Sequence, residues 1–301
     1  MTDISLNPAS TARAVRATLG LVCCVTCGLI AAAVGHIPAL HGATPPTGRR
    51  PSVQRAGVLS PIIELRQYTL HPGRRDELID MFDAKFVEPQ EGLGIKVIGQ
   101  FRNLDDPNKF VWVRGFPDMP ARTRALTAFY FGDPVWKANR SAANATIIDN
   151  DNVLVLHPVH AESGFVLESE SRMPAGTTGT GKGIVIATIY HLDPTPEKER
   201  DFVQFFEQSV TPLLTGAGAP VIATFIPERS ANTFPALPVR EGEHVFVWFS
   251  RFASAAAYDR FRAALEATPR WRDSVAVELS SKVREPQVLR LSPTMRSLLH
   301  G

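Results

Sequence analysis

Charged and aromatic residues alternate along two β-rich segments and could form one chemical site. Glu64, Arg66 and Tyr68 occupy every second position of the first segment, and Trp112 and Arg114 do so in the second. Because successive side chains of a strand point to opposite faces, each set lies on one face of a sheet. The sequence predicts a polar pocket lined by Glu64, Arg66, Tyr68, Gln100, Trp112 and Arg114.

The residue types in this pocket suit a small carboxylate or an enolisable, aromatic-type molecule. Arginine binds carboxylates through two parallel N–H donors. Buried charge is costly unless it is paired, so we expect Glu64 to pair with Arg66 or Arg114 and to leave the other arginine for an acidic ligand. In such a pocket Glu64 would be a base or an anchor, and Tyr68 a proton donor.

Three interpretations of these residues stay open on sequence alone. The first is a small-molecule-binding or interaction module. The second is a cofactor-independent oxygenase or isomerase, with Glu64 and Tyr68 as catalytic candidates. The third is an internal salt bridge that fixes the sheet register without a ligand, as in a membrane-tethered scaffold. An open cavity beside Glu64 and Arg66 favours the first two, and a sealed, fully paired one favours the third.

The segment 62–158 recurs in weaker form as 184–293. Tyr68-Thr-Leu-His-Pro72, for example, returns as Tyr190-His-Leu-Asp-Pro194. The charges of the predicted pocket are confined to the first copy. The aligned pairs are Glu64 and Ile186, Arg66 and Thr188, and Arg114 and Ser250. Two copies of one small fold are therefore expected, of which only the first carries the polar pocket.

Each copy has the hydrophobic pattern of the order β-α-β-β-α-β, so the predicted fold class is α+β with two tandem ferredoxin-like units. One face of each sheet should be covered by its helices. Ile63, Leu65, Val111 and Val113 are predicted to meet those helices. The opposite face, with Trp112 and Trp248, is too apolar for water and is predicted to press against a second sheet. The two sheets would then close an α/β barrel, within one chain or between two.

The domain organisation follows from these patterns. Residues 1–60 form an N-terminal tail with an apolar segment at 19–34 and a Pro/Arg linker, 61–160 the first domain, 161–182 a Gly-rich linker, 183–295 a second, degenerate domain, and 296–301 a C-terminal tail. An uncharged run after Arg13 and Arg16 is typical of a signal peptide or single anchor. We therefore expect an exported or membrane-anchored protein that contacts the membrane through 19–34. A cytoplasmic protein is the alternative if the native chain starts near Ile62.

Composition excludes several classes of function. Taking the tail's five arginines and one aspartate from 32 basic and 30 acidic residues leaves 27 and 29, a weakly acidic body that argues against nucleic acid. Cys23, Cys24 and Cys27 are the three cysteines of the sequence, and none lies in a repeat. No proposed pocket residue is a histidine, as a haem ligand would often be. The sequence predicts no metal and no cofactor.

The first copy resembles the NIPSNAP family. The resemblance rests on Ile62-Ile-Glu-Leu-Arg-Gln-Tyr-Thr-Leu-His-Pro-Gly73, Phe110-Val-Trp-Val-Arg-Gly-Phe116, Ala128-Phe-Tyr130 and Pro134-Val-Trp136. It is close over 61–158 and weaker over 183–295, where tandem members also carry a degenerate copy. The resemblance implies the dimeric α/β-barrel superfamily, which includes cofactor-independent monooxygenases, and it allows a homodimer. It implies no established reaction.

Overall fold

The computed structural model describes residues 60–167 and 172–301. The predicted tail, with its apolar segment 19–34 and its cysteines, lies outside the described residues except for Ser60. No helix in the described ranges is both long and apolar enough to cross a membrane.

Nine strands alternate with helical segments along the described chain. The strands are β1 (Ile62–Leu70), β2 (Lys96–Asn103), β3 (Lys109–Phe116), β4 (Ile147–Asp149), β5 (Val153–Pro158), β6 (Ile184–His191), β7 (Val221–Pro227), β8 (Val245–Phe252) and β9 (Gln287–Pro293). The α-helices are α1 (Arg75–Lys85), α2 (Val87–Gly92), α3 (Met119–Thr127), α4 (Pro134–Asn144), α5 (Pro196–Phe205), α6 (Thr211–Gly216), α7 (Ala255–Ala267) and α8 (Ala276–Lys282). Short π-helical turns join α3 to α4 and α5 to α6, and another precedes α8.

Eight of these strands close into a barrel within one chain. The order around the ring is β1-β3-β2-β9-β6-β8-β7-β5, with β5 returning to β1, and every pair is antiparallel. The two halves meet where β2 pairs with β9 and where β5 pairs with β7. The short strand β4 pairs with the end of β1 outside the ring. The structure is thus mixed α and β with a closed, barrel-like sheet that needs no second chain for closure.

The predicted assignment of sheet faces is wrong. Ile63, Leu65, Val111 and Val113 point into the barrel, where their neighbours are apolar residues from both halves. Trp112 instead faces the helices, and its ring centroid lies 4.8 Å from that of Phe82 in α1. The barrel interior is filled by aliphatic side chains and by phenylalanines such as Phe101 and Phe225, whereas the tryptophans lie in the layer beneath the helices.

The second half has the same inversion. Trp248 lies 5.9 Å from Phe206, and Tyr190 lies 5.5 Å from Phe202, measured between ring centroids. Both helical partners belong to the segment that begins with α5. The aromatic sides of the two sheets therefore face outward against helices and do not contact each other.

Segments predicted as linker and tail contribute to the barrel interior. Phe165 is 2% exposed, and its ring lies 5.1 Å from Phe225 and 4.9 Å from Phe249. Leu299 is 4% exposed, and its backbone N–H donates to the carbonyl oxygen of Ile98. These two segments belong to the same apolar interior as the strands, because both supply side chains to it.

Candidate functional site

A buried ion cluster connects the barrel to its helical cover. Glu64 accepts at Oε2 from Nη1 of Arg66 and from Nε of Arg114, and at Oε1 from Nε of Arg122, each at 2.7 Å. All four side chains are fully buried. One carboxylate and three guanidiniums give this cluster a net charge of +2.

The backbone places these four residues with little freedom. Glu64 lies directly opposite Arg114 in the β1–β3 ladder, and Arg66 lies opposite Trp112. Strand alternation puts Glu64, Arg66 and Arg114 on the face covered by helices. Asp118 caps the N-terminus of α3 by accepting from the backbone N–H of Ala121, which fixes the helical turn that carries Arg122.

The cluster keeps Glu64 ionised. Burial alone would raise the pKa of Glu64, but Arg114, Arg66 and Arg122 together hold that pKa well below its usual range. Burial also lowers the pKa of Arg122, against the attraction of Glu64. Because both oxygens of Glu64 already accept from guanidiniums and its pKa is low, Glu64 is suited to be an anchor and poorly suited to be a base.

The pairing within the cluster is incomplete. The Nη2 atoms of Arg66, Arg114 and Arg122 are buried and have no hydrogen-bond partner among the described residues. Aromatic faces compensate part of this charge, since the guanidinium carbon of Arg114 lies 5.0 Å from the Trp112 ring and that of Arg66 lies 5.4 Å from the Tyr68 ring. Three buried donor groups thus remain for an acceptor.

Two phenols extend the cluster toward a cavity. Arg66 Nε donates to the hydroxyl of Tyr68 at 3.1 Å, and Arg114 Nη1 donates to the hydroxyl of Tyr130 at 3.4 Å. Each phenolic oxygen therefore acts as an acceptor, and its own O–H can donate to a further group. A guanidinium that donates to a phenol makes the phenol a stronger donor in turn.

The cavity beside these phenols is small and aromatic. Its volume is about 30 Å³, which is room for roughly one or two waters. The lining residues are Tyr68, Leu78, Phe82, Phe86, Gln90, Trp112, Phe129, Tyr130, Trp136, Ala143, Asn144, Ile147, Asn150 and Leu237. Trp112 Nε1 is a further buried donor with no partner among the described residues. Convergent O–H and N–H donors in an aromatic cavity suit a small molecule with an acceptor oxygen.

The part of the chain that carries this site matches a known protein family. The family model of NIPSNAP matches residues 63–161. We call residues 63–161 the NIPSNAP domain after this match. The match includes Glu64, Arg66, Tyr68, Arg114, Arg122 and Tyr130, and it ends before the second half of the barrel. No curated protein matches the chain.

Solved structures resemble the chain at low identity. A NIPSNAP-like domain protein from Burkholderia xenovorans is 23% identical over 36% of this chain and 82% of its own, with a TM-score of 0.28. A NIPSNAP family protein from Agrobacterium tumefaciens is 16% identical over 37% and 88%, with a TM-score of 0.30. An anthrone oxidase-like protein is 12% identical over 80% and 95%, with a TM-score of 0.46. Likenesses this remote say nothing about a ligand or reaction of this chain.

The NIPSNAP domain brings together five of the six residues predicted from sequence. Glu64, Arg66, Tyr68, Trp112 and Arg114 form one connected site, but beneath the helices and not at the barrel centre. Gln100 also faces the helices and is fully buried. Its side-chain amide donates to Asp83 in α1 at 2.9 Å, so Gln100 belongs to a neighbouring polar contact.

Sequence reasoning missed Arg122, Tyr130 and Asn232. Comparison of the two predicted copies could have found Arg122, because Asp118 and Ser254 each cap the helix that follows a predicted hairpin, and the residue four positions later is Arg122 in one and Tyr258 in the other. Arg122 is thus another charge confined to the NIPSNAP domain. Asn232 lies 110 residues from Arg122, and no local pattern signals their contact. The described residues contain no group of three or more His, Cys, Asp or Glu placed to hold a metal.

Proposed function

We propose that this protein binds a small molecule whose anionic oxygen meets the phenols and arginines of the NIPSNAP domain and whose flat apolar part lies among the aromatic rings. The buried net charge of +2 around Glu64 is the observation that carries the proposal. An anion within reach of this charge would be stabilised by it and would supply an acceptor for donors that now have none. A carboxylate or an enolate fits this chemistry.

The second half of the barrel argues against a purely structural role for the charges. We infer that residues 183–295 are a degenerate second copy of the same ferredoxin-like unit. Matching register supports this, because Ile186 lies opposite Ser250 as Glu64 lies opposite Arg114. If the copies are equivalent, the second copy pairs its strands with neutral residues at the positions that Glu64, Arg66 and Arg114 hold in the first. The strand register therefore does not require these charges. Complete burial of the ion cluster is what a scaffold without a ligand would show. The unpaired Nη2 groups of Arg66, Arg114 and Arg122, however, favour a ligand.

An enzyme remains the second candidate, and the two phenols favour it. Tyr68 and Tyr130 each accept from a guanidinium, so each could donate a proton to a substrate oxygen that gains negative charge. In this version Glu64 orients the arginines and another group or the substrate supplies the base. Turnover that disappears in Tyr68→Phe while binding persists would favour the enzyme over the binder.

Binding of simple aromatic acids tests the proposal. Benzoate should raise the melting temperature of the protein and bind measurably by calorimetry, because it combines a planar ring with a carboxylate. Benzamide keeps the ring without the charge, and cyclohexanecarboxylate keeps the charge without the flat ring. Both should bind at least tenfold more weakly than benzoate if charge and shape act together.

A neutral version of the cluster supplies the matched control. The variant Glu64→Leu, Arg66→Met, Arg114→Met and Arg122→Met replaces the four ions by apolar residues of similar size. Such replacements of buried ion clusters are often neutral or stabilising. The variant should fold and should no longer bind benzoate. Equal benzoate binding by the folded variant would contradict the proposal.

A homodimer, and export or membrane attachment through 19–34, remain predictions that the described residues do not test. Since the barrel closes within one chain, any homodimer would use another surface.

A further inference from the structure

The loop between β7 and β8 differs most between the two halves. It runs from residue 228 to 244, whereas the equivalent loop between β2 and β3 has only residues 104–108. Loops of this length within a compact domain are uncommon and often cover functional sites. We call residues 228–244 the site loop.

The site loop crosses from the second half and covers the cavity of the NIPSNAP domain. Phe234 is 4% exposed, and its ring lies 6.0 Å from Tyr130 and 5.6 Å from Phe131. Leu237 is 2% exposed and forms part of the cavity wall. Two residues of the loop thus belong to the aromatic core of the other half.

Asn232 attaches the middle of the loop to the ion cluster. Its Oδ1 accepts from Nη1 of Arg122 at 3.1 Å, and its Nδ2 donates to the carbonyl oxygen of Leu237 at 3.0 Å. The ends of the loop are held separately, because the backbone N–H groups of Glu228 and Arg240 donate to Val155 and Val153 in β5. Between these ends the loop is held to the site by the amide of Asn232 and the side chains of Phe234 and Leu237, and the hydroxyl of Thr233 hydrogen-bonds that of Thr123 in α3.

The small cavity needs such a moving part if it is to admit a ligand. A volume of about 30 Å³ is far below the several hundred Å³ of a pocket for a drug-sized ligand. Outward movement of Leu237 and Phe234 would remove one wall beside Tyr130. The neutral amide of Asn232 also gives Arg122 a weaker partner than a carboxylate would, so an arriving anion can compete with it.

We propose that the site loop is the lid of the ligand site, that Asn232 is its latch on Arg122, and that Leu237 limits the size of the ligand. The inference rests on the proposed function, since it describes entry to that site. It gives the second half a role, which is to supply the lid for a site that its own sequence has lost. Binding then follows opening of the lid, and the bound anion replaces Asn232 at Arg122.

Benzoate kinetics in lid variants test this inference. Tryptophan fluorescence reports binding, since Trp112 and Trp136 line the cavity. In Leu237→Ala and Phe234→Ala, we expect association and dissociation rates to rise at least fivefold each, because the closed state loses apolar contacts. Leu237→Ala should also accept 2-naphthoate, which the wild type should exclude. Pro238→Ala, an exposed change in the same loop, is the control and should leave both rates unchanged.

Asn232→Asp tests the latch. The aspartate pairs ionically with Arg122 and lowers the net charge of the cluster, but it loses the hydrogen bond that Nδ2 of Asn232 donates to the carbonyl oxygen of Leu237. We expect at least tenfold weaker benzoate binding and at least fivefold slower association, because an ionic pair must break before the lid opens. A loop with only a structural role would leave the association rate of benzoate as it is.

The outcomes separate the lid from the site itself. If the wild type binds benzoate and all three lid variants keep its rates and affinity, the lid is wrong and the site stands. If the wild type fails to bind and Leu237→Ala binds benzoate, the lid is supported in its strictest form. If neither binds benzoate, benzamide, cyclohexanecarboxylate or 2-naphthoate, both the site and the lid are wrong.

Discussion

Glu64 faces Arg114 directly across the β1–β3 ladder, and the Nε atom of Arg114 donates to Oε2 of Glu64 at 2.7 Å. Arg122 of α3 donates from Nε to the other oxygen of the same carboxylate, Oε1, so Glu64 connects two strands and a helix. Arg66 completes the set from the same strand as Glu64. Loss of this carboxylate would leave three buried cations without their shared anion.

Glu64→Gln should therefore destabilise the protein strongly. Removing one partner of a buried ion pair costs about 3–5 kcal/mol, because the remaining charge stays buried and uncompensated. Urea denaturation should report this loss as a lower midpoint. Glu77→Gln is a matched control, since Glu77 pairs with Arg74 at an exposed position, and it should leave the midpoint unchanged. Equal midpoints for wild type and Glu64→Gln would contradict the assigned cluster.

The same carboxylate should make stability depend on acidity. The pKa of Glu64 is lowered in the folded protein, so its pairing contributes fully above the unfolded value of about 4.3 and is lost as pH falls through the folded pKa. By pH 3 this single group should have lost about 2 kcal/mol of stability relative to pH 7. Unfolding measured at both pH values should show a smaller difference in Glu64→Gln. The same difference in both proteins would place the acid sensitivity elsewhere.

The order of the strands along the chain and the β2–β3 and β7–β8 hairpins could be predicted from the sequence because both depend on local signals. Alternation along Ile62–Leu70, the turn before Lys109 and the repeated Phe-Val-Trp motif indicate which strands exist and which residues share a face. They do not indicate which face meets the helices. Both faces of the β3 sequence are apolar, one aliphatic and one aromatic, so either could have been the barrel interior.

The two faces of the sheet were predicted the wrong way round, so the site lies beneath the helices and not at the barrel centre. Most of the residues predicted for the site nevertheless lie together. Glu64, Arg66 and Arg114 stay on one face wherever that face points, because alternation is a property of the strand. Asn232 and Leu237 could not be predicted, since their contacts depend on how a loop of the other half crosses the barrel. Such long-range contacts follow from tertiary packing and leave no periodic trace in the sequence.

Tyr68→Phe should weaken both stability and binding. The change removes the acceptor of Arg66 Nε and leaves another buried donor unpaired, at a cost of about 1–3 kcal/mol. It also removes one phenolic donor from the cavity, so benzoate affinity should fall severalfold. Tyr190→Phe, the aligned change beside Thr188 in the second half, should leave benzoate affinity unchanged. A fall in benzoate affinity in Tyr190→Phe as large as in Tyr68→Phe would point to a general packing effect.

Phe165→Ala tests whether the segment between the halves belongs to the core. The Phe165 ring packs between Phe225 and Phe249 inside the barrel, so its removal should cost about 3–5 kcal/mol. The neighbouring Val166 is 51% exposed, and Val166→Ala should change stability far less. Chemical denaturation of the two variants measures the contrast. Similar midpoints for both would mean that the segment is a linker, as its sequence indicates, and that the barrel interior is complete without it.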